Sequence, residues 1–300
     1  VWGVTPVEAG LRGRTATPPI GAGLRRHWPL AIGFAAVAVP AVADLARVPW
    51  AQEFGAYGPI VLVTGLWLLW RNQSAIRAGA EPGATWLTLC LLAPSLAGFA
   101  VGKALDFVSL EAAGVFGAGL AIFYAKFGAK MVIRQWFPLL YLAFVVPPPP
   151  SLLADVTAPL KDFVSMISTG ILGAVGLPVA RQGVTIFVAQ YQLLVEDACS
   201  GMNSIVGLLA VGLLYVYLVR GANWVYMLLI SALTLPIAIF ANIVRIMVLI
   251  LLTYYAGNDV AQGYLHFTAG IMLFAIAIVC VFSIDRVLAH WRPKWVVGRT

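Results

Sequence analysis

Residues 223–256 read NWVYMLLISALTLPIAIFANIVRIMVLILLTYYA, a stretch in which Arg245 is the one charged side chain. A bilayer crossing needs about 20 apolar residues at a rise of about 1.5 Å each. This run exceeds that length, so it is read as a membrane helix, and Pro236 near its middle marks a kink. The rest of the 300-residue chain points the same way, with 61% apolar residues, 10% charged residues and a mean hydropathy of +0.92. A soluble domain carries about 25% charged residues. The composition therefore excludes a water-soluble globule and makes membrane lipids the first partner. The net charge of +7 is spread between apolar runs without a continuous basic stripe, which gives no footprint for nucleic acid.

Working outward, further apolar runs fall at Trp28–Ala46, Ala56–Trp70, Thr85–Gly102, Val108–Ala125, Met131–Pro147, Phe163–Ala180, Gly201–Val219 and Leu265–Ile284. Nine crossings would put the two basic termini on opposite sides of the membrane. Phe163–Ala180 follows Pro147-Pro148-Pro149-Pro150 and contains Gly170, Gly173, Gly176 and Pro178, so it is read as re-entrant or interfacial. Eight crossings remain, with both termini cytoplasmic. The cytoplasmic side then holds fourteen basic residues against Glu8, Glu81 and Asp285. The outer side keeps Arg47, Lys103, Lys161, Arg181 and Arg245 against nine acids, as the positive-inside rule requires. The expected fold is an all-α polytopic membrane protein of about eight transmembrane helices. Its expected divisions are a disordered basic cytoplasmic tail over 1–27, one transmembrane catalytic domain over 28–285 and a basic cytoplasmic tail over 286–300. Val1–His27 lacks the apolar core of a signal peptide.

The longest non-crossing stretch, Pro147–Ser200, lies on the outer side in this arrangement. Within it Val184–Val188 and Gln192–Glu196 flank Ala189-Gln190-Tyr191, which predicts a small extracytoplasmic β-hairpin. Lipid does not tolerate unpaired backbone, so the hairpin belongs at the outer rim of the bundle.

Directly after the hairpin comes Glu196-Asp197-Ala198-Cys199-Ser200-Gly201-Met202-Asn203-Ser204, at the start of an apolar helix. The unpaired N–H groups of a helix start favour a thiolate at Cys199. Glu196 and Asp197 oppose it, so activation calls for a cation. The competing reading is an inert core cysteine, which fits Cys90 and Cys280 inside their apolar runs. Asn242 and Arg245, spaced i, i+3, share one face of the long helix. Counted from a cytoplasmic start at Asn223, Arg245 stands roughly 30 Å up, near the outer boundary. An intramembrane arginine costs about 2.5 kcal/mol or more at the bilayer centre. Its competing reading is snorkelling to outer headgroups. His266, two residues into the last span, reaches the same depth, whereas His27 and His290 sit in the basic flanks.

A thiol, a guanidinium and an imidazole at one depth suit acyl transfer. Cys199 attacks a carbonyl, His266 moves the proton and Arg245 stabilises the oxyanion or the thiolate. Ser200 and Asn203 beside the thiol and Asn242 beside Arg245 are the supporting candidates. Three cysteines without C-x-x-C spacing give no zinc motif, and neither a cofactor nor a metal is expected.

The ordered set Ala198-Cys199-Ser200-Gly201, Asn242-x-x-Arg245 after Pro236, then His266 resembles the exosortase/archaeosortase family of membrane-embedded cysteine transpeptidases. The resemblance covers roughly residues 30 to 285. Met202-Asn203-Ser204 is similar to the exosortase V subgroup. The resemblance implies Cys199 as nucleophile with Arg245 and His266 as partners. It implies substrates that are exported proteins ending in a short Pro-containing motif, a transmembrane helix and a basic cluster. It also implies cleavage on the outer face of the cytoplasmic membrane and transfer to an acceptor, with polysaccharide and lipid as the acceptor classes. A transporter or channel lined by the kinked helix is the alternative, and a serine protease using Ser200 or Ser204 ranks below it.

Overall fold

The computed structural model describes residues 20–52, 55–194, 200–220 and 224–257, together with positions 279, 282, 283 and 286. Nine helices and three strands lie among the described residues. They run α1 (Ile20–Arg47), α2 (Gly58–Arg71), α3 (Gln73–Ala78), α4 (Thr85–Ala104), α5 (Val108–Arg134), α6 (Trp136–Ala143) and α7 (Pro150–Ala174). Then follow β1 (Val179–Gln182), β2 (Thr185–Val188), β3 (Tyr191–Leu194), α8 (Ser200–Arg220) and α9 (Trp224–Ala256). Four helices are long and apolar enough to cross a membrane: α1 from Trp28, α4, α5 and α9. α2 and residues Val206–Val219 of α8 are shorter apolar helices. The protein is an all-α membrane protein with one small sheet.

Polar contacts define two ends of the bundle. Lys103 near the end of α4 pairs with Asp44 near the end of α1 and, at 3.6 Å, with Glu111 in the first turn of α5. At the opposite end Lys130 meets Glu81 at 2.9 Å, and Asn72 Nδ2 donates to Gln135 Oε1 at 2.8 Å. That second end gathers Arg71, Arg77, Lys126, Lys130 and Arg134 against Glu81. It also carries exposed tryptophans: Trp28 at the start of the α1 span, Trp70 at the end of α2 and Trp86 at the start of α4. Trp224 at the start of α9 joins them, lining an apolar groove of about 660 Å³ with Val132, Ile133 and Trp136. Aromatic rings of this kind mark a membrane–water boundary.

Two apolar clusters stack along the bundle. Toward the tryptophan end, Val61 and Leu68 of α2, Phe137 and Tyr141 of α6 and Val216 of α8 pack on Tyr226, Met227 and Ile230 of α9. Phe137 stacks on Tyr217 with ring centroids 4.0 Å apart. Toward the other end, Val164 and Leu172 of α7 and Ile186, Val188 and Leu193 of the sheet pack on Ile246, Leu249 and Ile250. α9 threads both clusters, and Asn242 and Arg245 lie at the edge of the second.

The strands form an antiparallel meander in the order β1-β2-β3, one strand more than the expected hairpin. β2 and β3 lie within the two predicted strand segments except that Tyr191 opens β3, so the connection is the two residues Ala189 and Gln190. Ala189 (φ 51°) and Gly183 (φ 60°) supply the positive φ that two-residue hairpin turns demand. β1 takes Val179 and Ala180 from the apolar run that began at Phe163. Phe163–Ala174 of that run is the second half of α7, which starts at Pro150, where a missing N–H costs nothing. Met131–Pro147 is likewise divided, because the helix breaks between Arg134 and Trp136. The predicted last span lies outside the described residues apart from positions 279, 282 and 283. Phe282 there packs at a tilt against Tyr215 of α8, with ring centroids 4.3 Å apart.

Candidate functional site

α9 buries residues along one face in two groups: Tyr226, Met227, Ile230 and Thr234, and then Asn242, Arg245, Ile246, Leu249, Ile250 and Thr253. The spacing of three and four residues is that of a single helical face. Asn242 and Arg245 are each 3% exposed. An arginine snorkelling to lipid headgroups keeps its guanidinium in water. Arg245 is instead enclosed by protein, which removes the snorkelling reading. Two residues before it in α9, the Ile243 carbonyl accepts from the Ser168 hydroxyl of α7 at 3.4 Å. That bond ties α7 to α9 at the level of the polar pair.

α8 and α9 are joined by residues 221–223 and pack against each other, so they run antiparallel. Their register follows from Gly212, where an added Cβ would meet Thr234 Oγ1 at 3.8 Å and Ile230 Cγ2 at 4.0 Å. Gly212 is thus level with the middle of Ile230–Thr234, near residue 232. Twelve residues back along α8 is Ser200, and twelve residues on along α9 is Val244. With equal rise in both helices, the first residue of α8 comes level with Arg245. Near the same end of α8, Gly207 faces Tyr57, the residue that precedes α2.

Ser200 and Asn203 lie in the first turn of α8, and their side chains lie outside the description. Cys199 and His266 also lie outside the described residues. The observed part of the predicted set is therefore Arg245 with Asn242, buried together, and the start of α8 at their level. Among the described residues no three His, Cys, Asp or Glu side chains come together as metal ligands would.

One polar group went unnoticed in the sequence. Arg181 of β1 donates from Nη1 to the Asp162 carboxylate of α7, and also to the Asp162 carbonyl and Ser165 Oγ, each at 3.2 Å. The signal was present in Val179-Ala180-Arg181-Gln182, where alternation places the arginine on the same face as a valine.

A polytopic helical bundle with a strand-containing segment leading into a helix start, level with a buried arginine, defines a membrane protein with an enclosed polar site at one end. The model of the transmembrane exosortase family matches residues 50–283, and the chain belongs to that family. It is accordingly a membrane transpeptidase in general character. Neither a curated protein nor a solved structure matches the chain.

Proposed function

We propose that this protein cleaves C-terminal sorting signals of exported proteins on the outer face of the cytoplasmic membrane and transfers them to an acceptor. The observation that carries the reading is Arg245, a guanidinium enclosed in protein on α9 and level with the start of α8, the helix that Cys199 immediately precedes. The cytoplasmic assignment of the tryptophan end rests on its five basic residues against one acid.

In this mechanism the Cys199 thiolate attacks the carbonyl of the scissile peptide bond and forms a tetrahedral adduct. Arg245 holds the negative charge that develops. Collapse breaks the C–N bond, His266 gives a proton to the departing amine, and the substrate remains as a thioester. An acceptor nucleophile, from a polysaccharide or a lipid, attacks the thioester carbonyl after losing its proton to His266. The thiolate leaves, and the enzyme is restored. The released segment is the signal's transmembrane helix and basic cluster.

The experiment is Cys199→Ala expressed with an exported reporter that ends in a Pro-containing motif, an apolar helix and a basic cluster. The variant should insert in the membrane in normal amount and leave the reporter uncleaved. Reporter processed at the normal rate by this variant ends the proposal.

A further inference from the structure

The sheet has one charge on its inward face. Residues directly opposite in antiparallel strands, and alternate residues along each strand, share a face. Val179, Arg181, Ile186, Val188, Tyr191 and Leu193 therefore line one side, and Ala180, Gln182, Phe187 and Gln192 the other. Ile186, Val188 and Leu193 are buried, whereas Ala180, Gln182 and Gln192 are exposed, which identifies the first side as the inward one. An arginine there needs acceptors. It finds them in the Asp162 carboxylate and carbonyl, in Ser165 Oγ and, at 3.3 Å, in the Gly183 carbonyl of its own turn.

Arg181 stands opposite Ile186, and Ile186 opposite Leu193, so these three residues form one rung across the whole sheet. Strands lie about 4.8 Å apart, which makes the rung about 10 Å long. One end is tied to α7 through Asp162 and Ser165. Its middle and far end, Ile186 and Leu193, pack in the cluster with Ile246, Leu249 and Ile250, directly after Arg245 in α9. Ser165 is fully buried, and one turn further along α7 Ser168 reaches the Ile243 carbonyl. β3 ends at Leu194, six positions before Ser200 opens α8.

We propose that Arg181 is a positioning residue for transpeptidation: by tying the sheet to α7 through Asp162 and Ser165 it fixes where β3 delivers the Cys199 segment relative to Arg245. This rests on the function proposed above. The Asp162 side chain is 53% exposed, so the ion pair contributes little to stability. A misplacement of 1 Å at a reacting centre, in contrast, costs on the order of a hundredfold in rate. Activity and stability therefore separate when the tie is cut.

The test uses the full chain in membranes and the reporter already described. Arg181→Ala should lower the processing rate at saturating reporter by about tenfold to a hundredfold, with KM, inserted amount and melting temperature unchanged. Arg181→Lys should recover part of the rate, and Arg181→Asp combined with Asp162→Arg should exceed either single variant. A wild-type rate in Arg181→Ala overturns the proposal. So does a rate loss matched by an equal loss of inserted protein, a lysine variant as slow as alanine, or a double variant no better than the singles. Cys199→Ala separates the two claims. If that variant still processes the reporter, the transpeptidase mechanism falls by itself. The positioning claim is then decided by alkylation of Cys199 with an impermeant maleimide, whose rate should change about threefold or more in Arg181→Ala; an unchanged rate refutes it.

Discussion

Two helical hairpins of this protein have connections of equal length and opposite packing. α4 and α5 are joined by residues 105–107, and α8 and α9 by residues 221–223. In the first pair the backbones touch: an added Cβ on Gly102 would stand 2.4 Å from Glu111 N, and one on Gly114 2.5 Å from Phe99 N. In the second pair a Cβ on Gly212 meets side chains at 3.8 Å and beyond. Small residues let membrane helices close up without a hydrophobic driving force between them. Each hairpin also buries a charge toward the same end, Glu111 in one and Arg245 in the other. Glu111 faces Lys103 of its own hairpin, and the two helices are locked by contact. Arg245 lies eleven residues beyond Thr234 in α9, beside the cluster that α9 forms with α7 and the sheet. The tight hairpin closes on its own backbone, and the looser one packs on α7 and the sheet.

Four substitutions test that contrast. The largest effect should come from Arg245→Ala, which is expected to cost about a hundredfold or more in reporter processing while the protein inserts normally. A variant that keeps full activity would place Arg245 with Glu111 among the structural charges. Next is Gly114→Ala, where a methyl group would collide with backbone; thermal unfolding in detergent should show a loss of about 1–3 kcal/mol. Glu111→Gln follows, with a loss of about 1 kcal/mol in the same assay and processing within about threefold of normal. An activity loss as large as that of Arg245→Ala would erase the distinction between the hairpins. The smallest effect belongs to Gly212→Ala, which has space for the methyl group and gains helix propensity. Its unfolding should move by less than about 0.5 kcal/mol, and a larger loss would mean that α8 and α9 are also packed at backbone contact.

The same contrast explains what the sequence disclosed. Hydropathy located α1, α4, α5, α8 and α9 because a membrane helix must be apolar along its length, and Arg245 stood out against that background. Alternation in Val184–Val188 announced β2. β1 was hidden because Val179 and Ala180 extend the apolar run of α7 without a break in hydropathy. The kink inside α5 falls between the predicted runs Val108–Ala125 and Met131–Pro147, but its cause was hidden. Gly128 adopts φ 76° where Glu81 O would stand 2.3 Å from a Cβ, a contact with a residue 47 positions earlier. No local pattern carries such information. α7 starts at Pro150, well before the apolar run that opens at Phe163, and passes through Pro159. The polar site was legible only as far as one residue type is expensive in lipid. That criterion selected Arg245 and missed Arg181, which is inexpensive at the rim and matters through the residue opposite it in the ladder.

The exposed tryptophans at one end of the bundle have a consequence for the lipid around it. Indole rings hold their end at a headgroup boundary, so a change in bilayer thickness is taken up mainly at the other end. α2 has 14 residues, about 21 Å, and α9 has 33, about 50 Å, against a hydrocarbon core of about 30 Å. In lipids with longer acyl chains the end that carries Arg245 and the sheet sinks toward the hydrocarbon while the indoles keep their level. Chain length of the host lipid thereby sets how far below the headgroups the level of Arg245 lies.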